Sequence, residues 1–203
     1  MREEFLAAST VAAPQVEMPL AHELRGRVGM WCLIAAESAI FTIFVVAYLY
    51  YAGKSISGPT PREVLDIPYL ISIALFSSSF TIVRAEHAIG RGNRKLFTMW
   101  LAATIALGVF FVVGSAREWH KLIYHDGLTI SSSLFGTTFY SLVGLHLFHV
   151  LVGLTGLTII LIFALLGDVK QEHSERIGVF ALYWHFVDTV WVVVLSVVYF
   201  IAR

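Results

Sequence analysis

Residues 177–202 read IGVFALYWHFVDTVWVVVLSVVYFIA. The run is longer than the roughly 20 apolar residues a helix needs to cross a bilayer. Its only His, Asp, Glu, Lys or Arg side chains are His185 and Asp188, three residues apart on one helical face. A charge left unpaired in hydrocarbon is costly, so polar groups at such a depth are expected to face protein and to be functional.

Four further runs have the same character: Val28–Tyr51 with Glu37 as its one charge, Ile67–Val83, Leu96–Ala116, and Leu134–Leu166 with His146 and His149. Asp66 and Pro68 stand where an N-cap and a first helical turn are expected for the second run. The fourth run is 33 residues and should tilt or protrude. The runs are continuous rather than alternating, which excludes a transmembrane barrel. Composition agrees: 58% of the chain is hydrophobic and 14% charged, against roughly 25% charged in soluble domains. The sequence therefore predicts an all-α, polytopic membrane protein. Residues 1–27 form an N-terminal segment and 28–203 a single five-helix transmembrane domain.

The formal net charge is zero, which gives no basic surface for nucleic acid. The lone Cys32 excludes an intramolecular disulfide. Residues 1–27 contain no apolar core of the kind a signal peptide needs, so insertion is expected to rely on the first span. Nine of the fourteen Lys and Arg residues fall on the N-terminal side of the membrane and five on the other. The N-terminus is therefore expected in the cytoplasm and the C-terminus outside.

Glu37 lies nine residues into the first span, and His185 and Asp188 lie eight and eleven into the fifth. All three thus sit at about 12–16 Å, near the bilayer midplane. His146, His149, Gly153 and Gly156 form one stripe on the fourth helix, polar at one part and small at the other, which invites a close neighbour. Three readings of these residues stand. They are interhelical hydrogen-bonding partners, or ligands of a metal or haem, or the acids are proton-exchanging or lipid-linked. Trp184 and Trp191 occupy an adjacent stripe and read as packing residues, or as contacts to lipid or to another subunit. Arg84, Arg91, Arg94, Lys95, Lys170 and Arg176 sit at the cytoplasmic span ends, as topology signals or as phosphate-binding groups for lipid. Trp119 reads as an interfacial anchor.

Four stretches carry a family likeness. ALYWHFVDTVWVVVLSVVYF resembles the last helix of subunit III of haem–copper oxidases, with its Trp-His-Phe-x-Asp-x-x-Trp string. TTFYSLVGLHLFHVLVG resembles the preceding helix, RVGMWCLIAAESAIFTIFVVAYL the first common helix, and SSSFTIVRAEHAIGRGNRK the next helix and turn. The likeness runs in order through nearly the whole chain beyond residue 20, in the short five-helix bacterial form.

The resemblance implies a subunit of a cytochrome c oxidase complex with no catalytic centre of its own. It implies no metal in this chain, with haem and copper held by partner subunits. It implies packing against oxidase subunit I, phospholipids held in a cleft between helices, and support of proton uptake and of sustained turnover. The location it implies is the bacterial cytoplasmic membrane. Glu37 matches the family's intramembrane carboxylate, His149 the histidine that approaches it, and Asp188 the acid of the last helix. Glu118 matches a carboxylate common at the end of the third helix, and Lys170 and Arg176 fall near basic or histidine positions of lipid-contacting relatives. The expected buried polar cluster is Glu37, His146, His149, His185 and Asp188, with partners for His185 and Asp188 on the first and fourth helices. The expected lipid-headgroup residues are Arg84, Arg94, Lys95, Lys170 and Arg176. A glutamate at position 37 leans towards a cytochrome c oxidase; a quinol oxidase or a nitric oxide reductase system is the alternative.

Overall fold

The computed structural model describes residues 19–54 and 64–201, with side chains from residue 25. Most of the N-terminal segment, most of the Gly/Pro/Ser connector after the first span, and the last two residues lie outside the described residues. Among those described, the fold is wholly helical: α1 Pro19–Tyr51, α2 Tyr69–Gly90, α3 Arg94–Tyr124, α4 Leu134–Leu166 and α5 Ser174–Leu195. A 3₁₀ turn, Gln171–His173, leads into α5, and a π-turn, Ser196–Ile201, continues it.

The helix ends follow local chemistry. Asn93 caps α3 by accepting from the Leu96 N–H at 3.1 Å. Gly92, at φ +73°, makes the tight turn that lets α3 fold back along α2. Ser133 caps α4 through the Gly136 N–H at 3.0 Å, and Gly167 at φ +90° ends it, with the Asp168 N–H reaching back to the Phe163 carbonyl at 3.0 Å. These two signals place α4 on the residues expected for it.

Other boundaries differ from expectation. α1 begins at Pro19, nine residues before the apolar run, so the expected boundary at residue 28 falls inside a continuous helix. α2 starts at Tyr69 with Pro68 rather than Asp66 at its N-cap position and no side-chain cap, and the Asp66 carboxylate accepts from Lys121 Nζ at 2.8 Å. α3 carries on through Arg117–Tyr124, past the end of its apolar stretch.

Four of the five helices have a window long and apolar enough to cross a membrane: Arg25–Tyr51, Arg94–Tyr124, Leu134–Leu166 and Gln171–Ile201. α2 is not among them; its serines, Arg84 and Glu86 dilute its hydropathy. Large apolar side chains face outwards all round the bundle, with Leu70 77% and Leu165 70% exposed. In water such a surface would aggregate; in a bilayer it is the ordinary outer face.

α5 occupies the centre, packed against α1, α2 and α4. Trp184 is fully buried, and the two glycines beside it belong to α3 and α4. A Cβ added at Gly108 would meet Trp184 Cη2 at 3.1 Å, and one at Gly153 would meet Trp184 Cζ3 at 2.8 Å. Gly156 leaves the same kind of room for Phe180. The small half of the α4 stripe is therefore a seat for α5 aromatics. Gly153→Leu is expected to lower stability by about 1–3 kcal/mol through overpacking. Gly29→Ala, where a Cβ meets nothing within 4 Å among the described residues, should be neutral or gain up to about 1 kcal/mol. Thermal unfolding of the two variants checks the contrast.

Candidate functional site

Two polar clusters lie inside the bundle. The first joins α1 to α4: Glu37 Oε2 lies 3.1 Å from His149 Nε2. The other ring nitrogen, His149 Nδ1, lies 2.7 Å from the Leu145 carbonyl one turn back. A carbonyl only accepts, so Nδ1 carries a proton. The Nε2 contact then needs one further proton, held either by the imidazole or by the glutamic acid. In both cases the pair has no net charge, which makes it tolerable inside an apolar bundle. The Tyr183 hydroxyl donates to the His149 backbone carbonyl at 3.1 Å and ties the pair to α5.

The second cluster joins α5 to α2. Ser79 Oγ donates to Asp188 Oδ2 and lies 3.0 Å from His185 Nδ1. With its one hydrogen given to the aspartate, the serine accepts from the His185 Nδ1–H. The order is His185, Ser79, Asp188. Asp188 is buried, and its second oxygen, Oδ1, has no hydrogen-bond partner among the described residues.

His146 belongs to neither cluster. It is fully buried, stacks on Trp191 with ring centroids 5.0 Å apart, and meets Phe111 edge-on at 5.8 Å. Neither of its ring nitrogens has a hydrogen-bond partner among the described residues. The five expected cluster residues thus divide into Glu37 with His149, His185 with Asp188, and His146 alone among aromatic rings. The expectation that α1 and α4 supply partners to His185 and Asp188 is corrected: the partner is Ser79 on α2. Among the described residues no three His, Cys, Asp or Glu side chains are grouped so as to hold a metal ion.

The serines of α2 are the functional residues that sequence reasoning passed over. Ser78 accepts the Trp184 indole N–H at 2.9 Å and Ser72 that of Trp191 at 3.0 Å. Both tryptophans are buried, so they pack within the bundle and do not face lipid. The available signal was Ser77-Ser78-Ser79, three hydroxyls together in an apolar helix. Ser79→Ala is expected to cost about 1–3 kcal/mol, because it strips the partner from two groups at once. Ser77→Ala, at an exposed position, should stay within about 0.5 kcal/mol. Thermal unfolding separates them.

The basic candidates do not converge. The Arg84 guanidinium lies 5.6 Å from the Trp100 ring and 5.9 Å from Phe80. Arg94 donates to the Gly167 carbonyl at 3.1 Å, Lys170 lies 3.6 Å from Glu172, and Lys95 is exposed. Arg176 lines a separate cavity between α4 and α5. At the opposite end, Glu118 accepts from the Tyr199 hydroxyl at 2.9 Å, and Trp119 packs edge-on against Tyr140.

A family-wide sequence model described as cytochrome c oxidase subunit III matches residues 20–203, spanning all five helices. The chain belongs to that family. Among its relatives is the cytochrome c oxidase subunit 3 of Alkalihalophilus pseudofirmus, 34% identical over 173 residues, 84% of each chain. The subunit 3 of Corynebacterium diphtheriae cytochrome c oxidase is 32% identical over 196 residues, 94% of this chain and 95% of that one. The quinol oxidase subunit 3 of Bacillus subtilis is 31% identical over 173 residues, again 84% of each. The likeness in sequence that the last-helix string suggested therefore extends through every element that builds the two clusters. In this subunit III-family chain the clusters tie α1 to α4 and α2 to α5.

Proposed function

We propose that this chain is the non-redox subunit III of a haem–copper terminal oxidase in aerobic respiration. It packs on oxidase subunit I, holds phospholipids, and supports proton uptake and turnover stability. Residues 28–203 act as one transmembrane domain of five spans, and residues 1–27 as a cytoplasmic segment. α2 is the least apolar span, and Ser72, Ser78 and Ser79, turned towards α5, contribute to that. The N-terminus lies in the cytoplasm of a bacterium and the C-terminus outside. Haem and copper belong to partner subunits, and this chain binds phospholipids alone.

The observation that carries the reading is the pairing of Glu37 with His149 across α1 and α4, within a chain of the subunit III family. The two acids deep in the spans, Glu37 and Asp188, and two of the three histidines there, His149 and His185, are used to join helices, which suits a scaffold that stabilises a catalytic neighbour. Its relatives come from both cytochrome c and quinol oxidases; Glu37 favours cytochrome c. The test is purification of the tagged chain from gently solubilised membranes. It should bring down a haem- and copper-containing subunit I in equal amount, with oxygen uptake driven by reduced cytochrome c. Stoichiometric haem or copper on the isolated chain, or purification without any oxidase subunit, would refute the reading.

A further inference from the structure

α2 packs on α3 and α5 and leaves one face uncovered. Ile73, Ser77, Phe80, Arg84 and His87 share that face at helical spacing, and all five are exposed. Ser72, Ser78 and Ser79 turn to α5 and are used inside the bundle. Ser77, Arg84 and His87 are not; they stand on the outside, where a helix open to lipid carries apolar side chains. On the described residues, α2 alone among the five helices lacks a window apolar enough to cross a membrane.

Arg84 decides what covers the face. It stands six residues before Gly90, the end of α2, and Trp100 stands six residues into α3. Both therefore lie about 9 Å below the turn that joins the two helices, and half of the hydrocarbon is about 15 Å deep. An arginine at such a depth ordinarily snorkels to the headgroups. This one leans the other way, because side chains on a helix tilt towards its N-terminus, which here is the far side of the membrane. The contacts agree. The guanidinium lies 5.9 Å from the ring of Phe80, one turn deeper, and 5.6 Å from that of Trp100. Those two rings, edge-on to each other at 6.4 Å, seat the cation over an apolar face. Among the described residues no carboxylate pairs with it and no group accepts its N–H donors.

A guanidinium aimed into hydrocarbon is costly without a counter-charge. A headgroup phosphate would call for a side chain that reaches towards the membrane surface. A carboxylate carried on another helix meets the cation where it lies, and both are then shielded from lipid. Ser77, two turns deeper, is small enough to let a neighbouring helix come close.

We propose that the outer face of α2 is covered, in the assembled oxidase, by a membrane-spanning helix of a partner subunit that places an aspartate or glutamate against Arg84. This rests on the assembly with oxidase subunits proposed above and gives that assembly a face and a charge contact.

The test uses the intact complex in its own membranes. Ser77 is replaced by the photo-reactive benzoylphenylalanine, Arg84 is left unchanged, and the adduct is identified by mass spectrometry. It is expected on one membrane-spanning helix of a partner, with an acid about two turns from the point of attachment. Arg84→Leu then separates a docked face from a lipid-facing one. Against lipid, leucine removes a charge from hydrocarbon, so the subunit should be held as well as before or better. Against a buried carboxylate it strands the acid, and the subunit III kept after detergent washing should fall by about tenfold or more. Arg84→Glu should lose more, and changing the partner's acid to arginine in the same complex should restore retention. Adducts to lipid alone, or full retention of the Arg84→Leu subunit, would overturn the inference and leave the chain's place in the oxidase standing. A parent chain that purifies with no oxidase subunit would sink the proposed function, and this inference with it.

Discussion

Trp184→Ala is expected to destabilise the chain by about 3–5 kcal/mol, the largest loss from any single side chain here. The indole fills the junction of α3, α4 and α5, lying where Cβ atoms on Gly108 and Gly153 would stand. Truncation leaves a void bounded by two glycines, which have no side chains with which to refill it. It also removes the N–H that Ser78 accepts. Trp184→Phe keeps most of the volume and loses only that hydrogen bond, at about 1 kcal/mol. The Ser78 hydroxyl still has the Leu75 carbonyl at 2.5 Å to donate to. The measurement is thermal unfolding of the purified protein, with retention of the subunit in its complex recorded on the same samples. Equal stability of the alanine and phenylalanine variants would contradict the packing described.

Glu37→Ala and Asp188→Ala should both weaken the subunit's hold in the complex and leave the initial rate of oxygen consumption alone. Each removes a hydrogen bond between helices, and an unsatisfied buried partner costs about 1–3 kcal/mol. Glu37→Ala strands His149 Nε2 between α1 and α4; Asp188→Ala leaves the Ser79 hydroxyl to turn towards His185. Under the proposed function the redox centres belong to partner subunits. The initial rate of oxygen consumption should therefore remain largely intact in assembled complexes, while less subunit III is retained or the enzyme inactivates sooner. Subunit stoichiometry and the time course of oxygen uptake, taken on one preparation, decide the matter. A collapse of the initial rate with all subunits and metals in place would assign these acids to the chemistry itself.

How far the sequence could be read depends on what each signal measures. The bounds of α4 were legible because Ser133 and Gly167 are chemical stops that coincide with the ends of the apolar run. The bounds of α1 and α3 were not, since hydropathy reports bilayer thickness and a helix does not end where the bilayer does. Asp66 reads as a cap in sequence; only the fold brings Lys121, 55 residues away, close enough to claim it. Glu37 and His149 met through family likeness rather than spacing, because nothing in two separate helices fixes their relative depth. Ser79 was passed over for a related reason. A serine in an apolar helix can satisfy itself on its own backbone, as Ser78 does on the Leu75 carbonyl. Which of three neighbouring hydroxyls faces α5 is set by the rotation of α2 in the packed bundle. His146 shares its stripe with His149, yet one turn of the helix carries it from the Glu37 pair into an aromatic cage.

The most direct test of the central claim compares purified oxidase carrying this subunit with the same preparation stripped of it. Haem and copper are measured on both, and oxygen uptake is followed to exhaustion. The expected result is equal metal content and a similar initial rate, with the stripped enzyme losing activity early in turnover. A stripped enzyme that lacks part of its haem or copper, or that never begins to consume oxygen, would contradict the assignment of this chain as a non-redox, stabilising subunit.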